Sequence, residues 1–171
     1  MHSLDEPFFA EFGQTEHKKG ETDARLEDRI RHLVDKQMYG VLCTEGQGQP
    51  YGSMIAFAFS HDLSAVVFAT PTATRKYRLL TENNHVALVV DNRPSFPDNM
   101  MKVEAVTVTG RASEVKRSAE FDEYSRLLTA RHPQLEAFVK SSSCSLFVIE
   151  VFRFFHVSRF QEVAQWLPPS R

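Results

Sequence analysis

The sequence predicts a mainly β protein: a six-stranded antiparallel barrel, closed or nearly closed, with flanking helices. Three observations predict it. Short apolar, β-branched runs recur along the chain, with turn-length links between the early ones. One amphipathic helical pattern precedes these runs, and a second helical stretch interrupts them just ahead of the last and most strongly strand-like one. With 171 residues, 42% hydrophobic and 25% charged, the chain suits one globular domain with a sizeable core.

Residues 1–20 mix charges without sustained periodicity and read as an N-terminal arm, in which Phe8, Phe9 and Phe12 form one apolar patch. Residues 21–160 read as the domain and residues 161–171 as a C-terminal tail carrying the single tryptophan, Trp166. Within the domain, Leu26, Ile30, Leu33/Val34 and Met38 recur at helical spacing over Thr22–Met38. Tyr39–Thr44 is the first expected strand, Glu45–Gln49 a turn, and Pro50–Ser60 the second strand. His61–Ser64 turns the chain into the third strand, Ala65–Thr70. A short helix follows, and His85–Asp91 is the fourth strand. Asn92–Met100, with two prolines and no periodicity, is the main irregular loop. Met101–Val115 reads as a long strand in which Gly110 signals a bulge or a close backbone approach. Ser118–Ala130 and Pro133–Lys140 are helical, and Cys144–Val157 is the sixth strand.

The most informative segment is Ala65–Leu80. A β-branched run ends in Thr70-Pro71-Thr72-Ala73-Thr74, and the helix that begins there carries Arg75, Lys76 and Arg78 in its first turn. The amino end of a helix already bears about half a positive charge, so it favours acidic residues. Cations there call for an anion among them, and a phosphate meets the free N–H groups, the threonine hydroxyls and the charged side chains together. The alternative is a solvated basic face with Thr72 or Thr74 as an ordinary N-cap.

Other chemistries find little support. The net charge of −2 and the dispersed basic residues provide no general attraction for nucleic acid. No apolar stretch approaches the roughly 20 residues that span a bilayer, and no secretory signal is visible. Cys43 and Cys144 lack CxxC spacing and read as two buried thiols in a reducing, cytoplasmic setting, with a single disulfide as the alternative. Seven histidines show no metal-ligand spacing; His85 and His156, at strand positions, read as hydrogen-bonded structural histidines. Asn92, at a strand end facing the irregular loop, is a candidate cofactor contact, with a strand-end turn as the plainer reading.

Pro50–Val90 resembles the core of the FMN-binding split-barrel family, the pyridoxamine 5′-phosphate oxidase-like group. The features match in order: Pro50-Tyr51 opening a strand through Ser53-Met54-Ile55-Ala56, a hairpin to Phe68-Ala69-Thr70, Thr74-Arg75-Lys76 where the family has Ser-Arg-Lys, and Leu80 with Asn83/Asn84 before Val86–Val90. Val106–Ala112 is similar to the family's later strand with its Gly-x-Ala. The resemblance implies a six-stranded antiparallel split barrel, a bound FMN, and a homodimer with the flavin at its interface. It further implies that Thr74, Arg75 and Lys76 hold the phosphate, while Ser53, Met54, Ile55, Ala56, Ala69 and Thr70 lie along the ring. A flavin ring needs an apolar wall with backbone donors and acceptors, which the Ser53–Phe57 strand can supply, although plain barrel core explains that strand as well. Where the family has a phosphate-binding arginine stands Ser53; Ala58 replaces a lysine, and Ala105 (beside Glu104) a ring-contacting glutamine. The terminal LPPSR lacks the family's arginine-histidine substrate motif, although His156 and Arg159 loosely resemble it. These departures imply a flavoprotein relative and not the oxidase itself: an FMN-dependent oxidoreductase on an unknown small molecule. The alternatives are a non-catalytic flavin-binding or redox-responsive protein, or a relative binding F420 or heme.

Overall fold

A strand that leaves one edge of the sheet and joins the other organises this protein. The computed structural model describes residues 21–159 and 162–169; the expected arm with Phe8, Phe9 and Phe12 lies outside them. The sheet contains β1 (Tyr39–Gly46), β2 (Gln49–Ala56), β3 (Ala58–Phe59), β4 (Ala65–Pro71), β5 (His85–Asp91), β6 (Ala105–Glu114), β7 (Cys144–Ser158) and β8 (Glu162–Trp166). Their order is β2-β1-β5-β6-β7-β4-β3, with β8 also on β7, and every pairing is antiparallel. The expected second strand therefore divides at Phe57. Up to Ala56 it pairs with β1, and from Ala58 it pairs with β4. Phe57 is fully buried at this corner, edge-on to Phe59 with ring centroids 5.5 Å apart. The sheet thus curls into a mainly β split barrel, closed by the chain itself.

β7 is the central strand. β6 runs along one side of it, while the other side is shared by β4, at Cys144–Glu150, and β8, at Phe154–Ser158. The eighth strand falls in the segment that reads as a tail, and its few residues carry too little alternation to announce a strand before β7 supplies the partner. Trp166 is consequently a core residue, 8% exposed and 5.4 Å from the Phe154 ring. Gly110 meets the expectation at its position. The register shifts between Thr109 and Gly110, and a Cβ there would collide with the Glu150 carbonyl oxygen.

Helices close the barrel. α1 (Glu21–Lys36) buries Leu26, Ile30, Leu33 and Val34 in the main core. α2 (Arg75–Glu82) buries Leu79 and Leu80 against β1 and β4 at the other end. α3 (Ala119–Arg131) and α4 (Glu136–Lys140) cover the outer face of β4 and the start of β7, setting Phe121, Tyr124, Leu128 and Val139 on Ala58, Val67 and Leu146. Two contacts fasten this insertion to the barrel. Arg131 donates to the carbonyls of Val34, Asp35 and Gln37 at the end of α1, satisfying acceptors that a helix terminus leaves open. His132, fully buried, donates from Nε2 to the Phe57 carbonyl at 2.9 Å.

Gly110→Ala is expected to lower the unfolding free energy by about 1–3 kcal/mol, the usual range for overpacking, read as a shift of the denaturant midpoint. An unchanged midpoint would mean that β7 yields at Glu150.

Candidate functional site

The split between β2 and β4 is where the expected site residues meet. β3 and β4 pair Ala58 with Val67. Continuing that register along β2 would set Ala56 across from Ala69 and Met54 across from Pro71, but no hydrogen-bonded ladder joins the two strands there. β2 is therefore an edge strand, and its outer row of backbone N–H and C=O groups faces the split. Ser53 is half-buried, and its Oγ is buried with no hydrogen-bond partner among the described residues. Ile55 points into the core at 4% exposure, and Met54 points outward at 73%. Ala69 packs against the α3–α4 cluster.

At the end of the split the chain turns into α2. Thr74 is its N-cap: the hydroxyl accepts from Tyr77 N at 3.3 Å, donates to the Pro71 carbonyl at 2.9 Å, and lies 3.0 Å from the buried Thr70 hydroxyl. Thr72 N donates to the Ser143 carbonyl at 2.9 Å, tying the turn to the segment before β7. Arg78 N donates to the Thr74 carbonyl, which leaves the N–H groups of Arg75 and Lys76 outside the helical ladder.

No acidic residue sits in this first turn. The Arg75 guanidinium lies 5.3 Å from the Tyr51 ring centroid, so it reaches across to β2. Burial pushes the half-buried Lys76 ammonium below its usual value, and among the described residues no carboxylate pairs with it. Arg78 meets Glu82 only at 3.9 Å on an exposed surface. Cations at a helix amino end are unfavourable by about 0.3–1 kcal/mol each. The ordinary N-cap and the cation cluster are both present, and the cap leaves the cluster's electrostatic deficit in place.

The structure thus gathers Ser53, Met54, Ile55, Ala56, Ala69, Thr70, Thr74, Arg75 and Lys76 along one split and its mouth. Asn92 lies elsewhere in the same chain. Its Oδ1 accepts from Glu104 N at 2.8 Å and its N donates to the Glu104 carbonyl at 3.1 Å, so it closes the loop between β5 and β6. Tyr51 is the contact that sequence reasoning missed. It shares the inward face of β2 with Ser53 and Ile55, but only folding sets it against Arg75.

The far end of the barrel holds a second polar cluster. His156 is 1% exposed, with Nε2 2.9 Å from Glu104 Oε2, while Glu104 Oε1 accepts from Arg29 at 3.0 Å. His156 is thus the hydrogen-bonded histidine that its strand position suggests; His85 is exposed on β5. Burial pushes the His156 imidazole below its ordinary value, with Arg29 adding to the shift and Glu104 opposing it. Burial would raise the Glu104 carboxyl, but Arg29 and His156 outweigh it and hold it low. Cys43 and Cys144 are unpaired, and burial raises both thiols. Among the described residues no group of histidine, cysteine and carboxylate side chains is placed to hold a metal ion, and no helix is long and apolar enough to cross a membrane.

Comparison with known proteins agrees with this fold. Residues 26–157 match the family model described as pyridoxamine 5′-phosphate oxidase. A search of the curated proteins finds no match. Among solved structures, the chain is similar to a heme-binding protein from Mycobacterium smegmatis, with a TM-score of 0.71 and 17% identity. That match covers 80% of this chain and 55% of the mycobacterial one, so the chain spans little more than half of that protein. It is also similar to HutZ, the heme storage protein from Vibrio cholerae, with a TM-score of 0.66, 17% identity, and 84% and 94% of the two chains covered. A FAD-binding protein from Mesorhizobium loti follows, with a TM-score of 0.61, 15% identity, and 75% and 91% covered. At these identities the likeness is one of fold.

The depressed His156 imidazole makes folding sensitive to acid. An unfolded chain takes up this proton near the ordinary histidine value, and the folded one does so only at lower pH. Stability is therefore complete above that ordinary value and declines as pH falls through the window below it. The low Glu104 carboxyl acts in the same direction further down, its contribution being lost as pH falls through its folded value. The unfolding free energy is expected to drop between about pH 7 and pH 5, and His156→Gln should flatten that slope in denaturant titrations.

Proposed function

We propose that this chain, which belongs to the pyridoxamine 5′-phosphate oxidase family, is a homodimeric FMN-binding protein that acts as a flavin-dependent oxidoreductase on a small molecule. One observation carries the reading: the start of α2 gathers Arg75, Lys76 and Arg78 with no acid in its first turn, beside a split whose edge strand has free backbone groups. The residues fit the cofactor. Two N–H groups and two cations would hold a phosphate, Thr74 having already fixed the turn that presents them. The orphaned Ser53 Oγ would gain a partner from the cofactor's polar edge.

When bound, an isoalloxazine supplies the hydride or electron transfer itself, and the protein's part is to bind, orient and exclude water. No acid–base pair is required at the split. Ser53 and Ala58, where the family's oxidase has basic residues, support a substrate other than pyridoxamine phosphate.

The sheet face supports a dimer. α3 and α4 cover only the β4 side. Across β2, β1 and β5, Met54, Val41 and Val89 form a cross-strand row with no helix over it among the described residues, and Met54 and Tyr39 are 73% and 55% exposed. A second copy on this face would shield both the row and the split.

Heme is the alternative that the mycobacterial and Vibrio proteins bring forward, and the absorption spectrum of purified protein separates it from flavin. Oxidation of a nicotinamide donor by the FMN-loaded protein separates an oxidoreductase from a flavin carrier.

Arg75→Ala combined with Lys76→Ala is expected to weaken FMN at least about tenfold, because each charge-assisted bond contributes about 1.5–3 kcal/mol. Riboflavin, which has no phosphate, should be nearly indifferent. Equal losses for both ligands would assign these residues to the fold. Light scattering should show a dimer, and dilution below its dissociation constant should release FMN. A monomer with undiminished FMN affinity would reject the shared site.

A further inference from the structure

On the far side of the Thr70–Thr74 turn lies a second cavity, of about 520 Å³, which the flavin reading does not use. This is within the roughly 300–1,000 Å³ typical of small-molecule sites. Its lining includes the exposed Glu114, whose carboxylate accepts from the Tyr77 hydroxyl at 3.2 Å and from Ser145 Oγ at 2.5 Å. An ionised carboxylate offers about four lone-pair sites, so Glu114 has acceptor capacity left and no donor of its own. Lys116 and Arg117 belong to the same lining. Arg117 is held in place by the Ser141 carbonyl at 2.9 Å and by the Phe121 ring 4.2 Å away, and Lys116 has no carboxylate partner among the described residues. Val115, Cys144 and the side of Tyr77 supply apolar wall.

This lining is selective. A bare anion would meet the cations but be opposed by Glu114, and a neutral apolar molecule would leave Lys116 without a counter-charge and the remaining acceptor capacity of Glu114 unused. The complement is a molecule that joins an anionic group, a pair of hydroxyl donors and a flat apolar face. We propose that this cavity is a nucleotide subsite that takes an adenylate moiety. The phosphate lies against Lys116 and Arg117, the ribose diol donates to Glu114, and the base lies against Tyr77 and Val115. Thr72 and Tyr77 belong both to this cavity and to the turn and first helical turn of the phosphate cradle, so the two sites adjoin. The adenylate has two sources: the outer half of a flavin dinucleotide whose inner phosphate sits at Arg75 and Lys76, or a separate nucleotide such as a nicotinamide cofactor. The first source rests on the flavin reading, whereas the subsite itself does not.

Calorimetric titration of the full-length chain with AMP, FMN and FAD tests this. AMP is expected to bind alone and to compete with FAD but not with FMN, and FAD is expected to bind at least about tenfold tighter than FMN. Lys116→Ala and Glu114→Gln should each weaken AMP and FAD about tenfold and leave FMN unchanged; the glutamine keeps the side-chain volume and an acceptor for one of Tyr77 and Ser145, which donate to different carboxylate oxygens. AMP binding with FAD no tighter than FMN would keep the subsite and assign it to a separate nucleotide. AMP binding without either flavin would keep the subsite and reject the flavin reading. No AMP binding together with equal FMN and FAD affinities would overturn the proposal.

Discussion

The crossing of the chain at Phe57 is the constraint on which the rest depends. A curled sheet must either pair its edges or leave them apart, and here one strand serves as both edges. β2 and β3 belong to the same run of sequence, joined by a single buried residue. Close to that residue the edges are held together by covalent bonds. Away from it β2 and β4 diverge, and the outer row of β2 backbone groups remains without a ladder. Unpaired edges invite pairing with other chains unless something covers them. In this protein the open edge ends at the cation-bearing start of α2, which makes it a cleft with one polar end.

The helices keep that cleft open. α1 and α2 fill opposite ends of the barrel with Ile30, Leu33 and Val34 on one side and Leu79 and Leu80 on the other, so the interior is occupied by side chains and a three-ring ligand has no room inside. The corner itself is fixed from outside. His132 donates to the Phe57 carbonyl, and the Arg131 guanidinium lies 5.4 Å from the Phe57 ring centroid while binding three carbonyls at the end of α1. The late helical insertion thus fastens the crossing point, a role that its sequence position does not suggest. Polar groups follow the same division, with the Glu104–His156–Arg29 cluster at the α1 end and the cations of α2 at the other.

Much of this was legible beforehand because it depends on local physics. The strands of β-branched residues, the amphipathic face of α1 and the glycine at the bulge each follow from neighbours in sequence. The Thr74 cap and the charge conflict after it were equally readable, since a helix dipole and its first turn lie within a few residues of each other. The match to the split-barrel family rested on the same residues. Less was visible at Pro50–Ser60, which reads as one strand because its apolar pattern continues through Phe57. β8 was also missed, since a five-residue strand gains its identity from the partner that pairs with it, and Trp166 then becomes core by packing against Phe154.

By itself, the sequence determined the fold class, the order of the main elements and the crowding of cations at one helix start, all of which arise from interactions spanning a few residues. The tertiary structure alone decided which edges face each other, that Tyr51 meets Arg75, that Asn92 closes a loop against Glu104, and that Glu114 lines a cavity beside the start of α2. These pairings join residues 12 to 37 positions apart that are bonded through space. Their geometry follows from sheet register and closure, and no local pattern of residues encodes either.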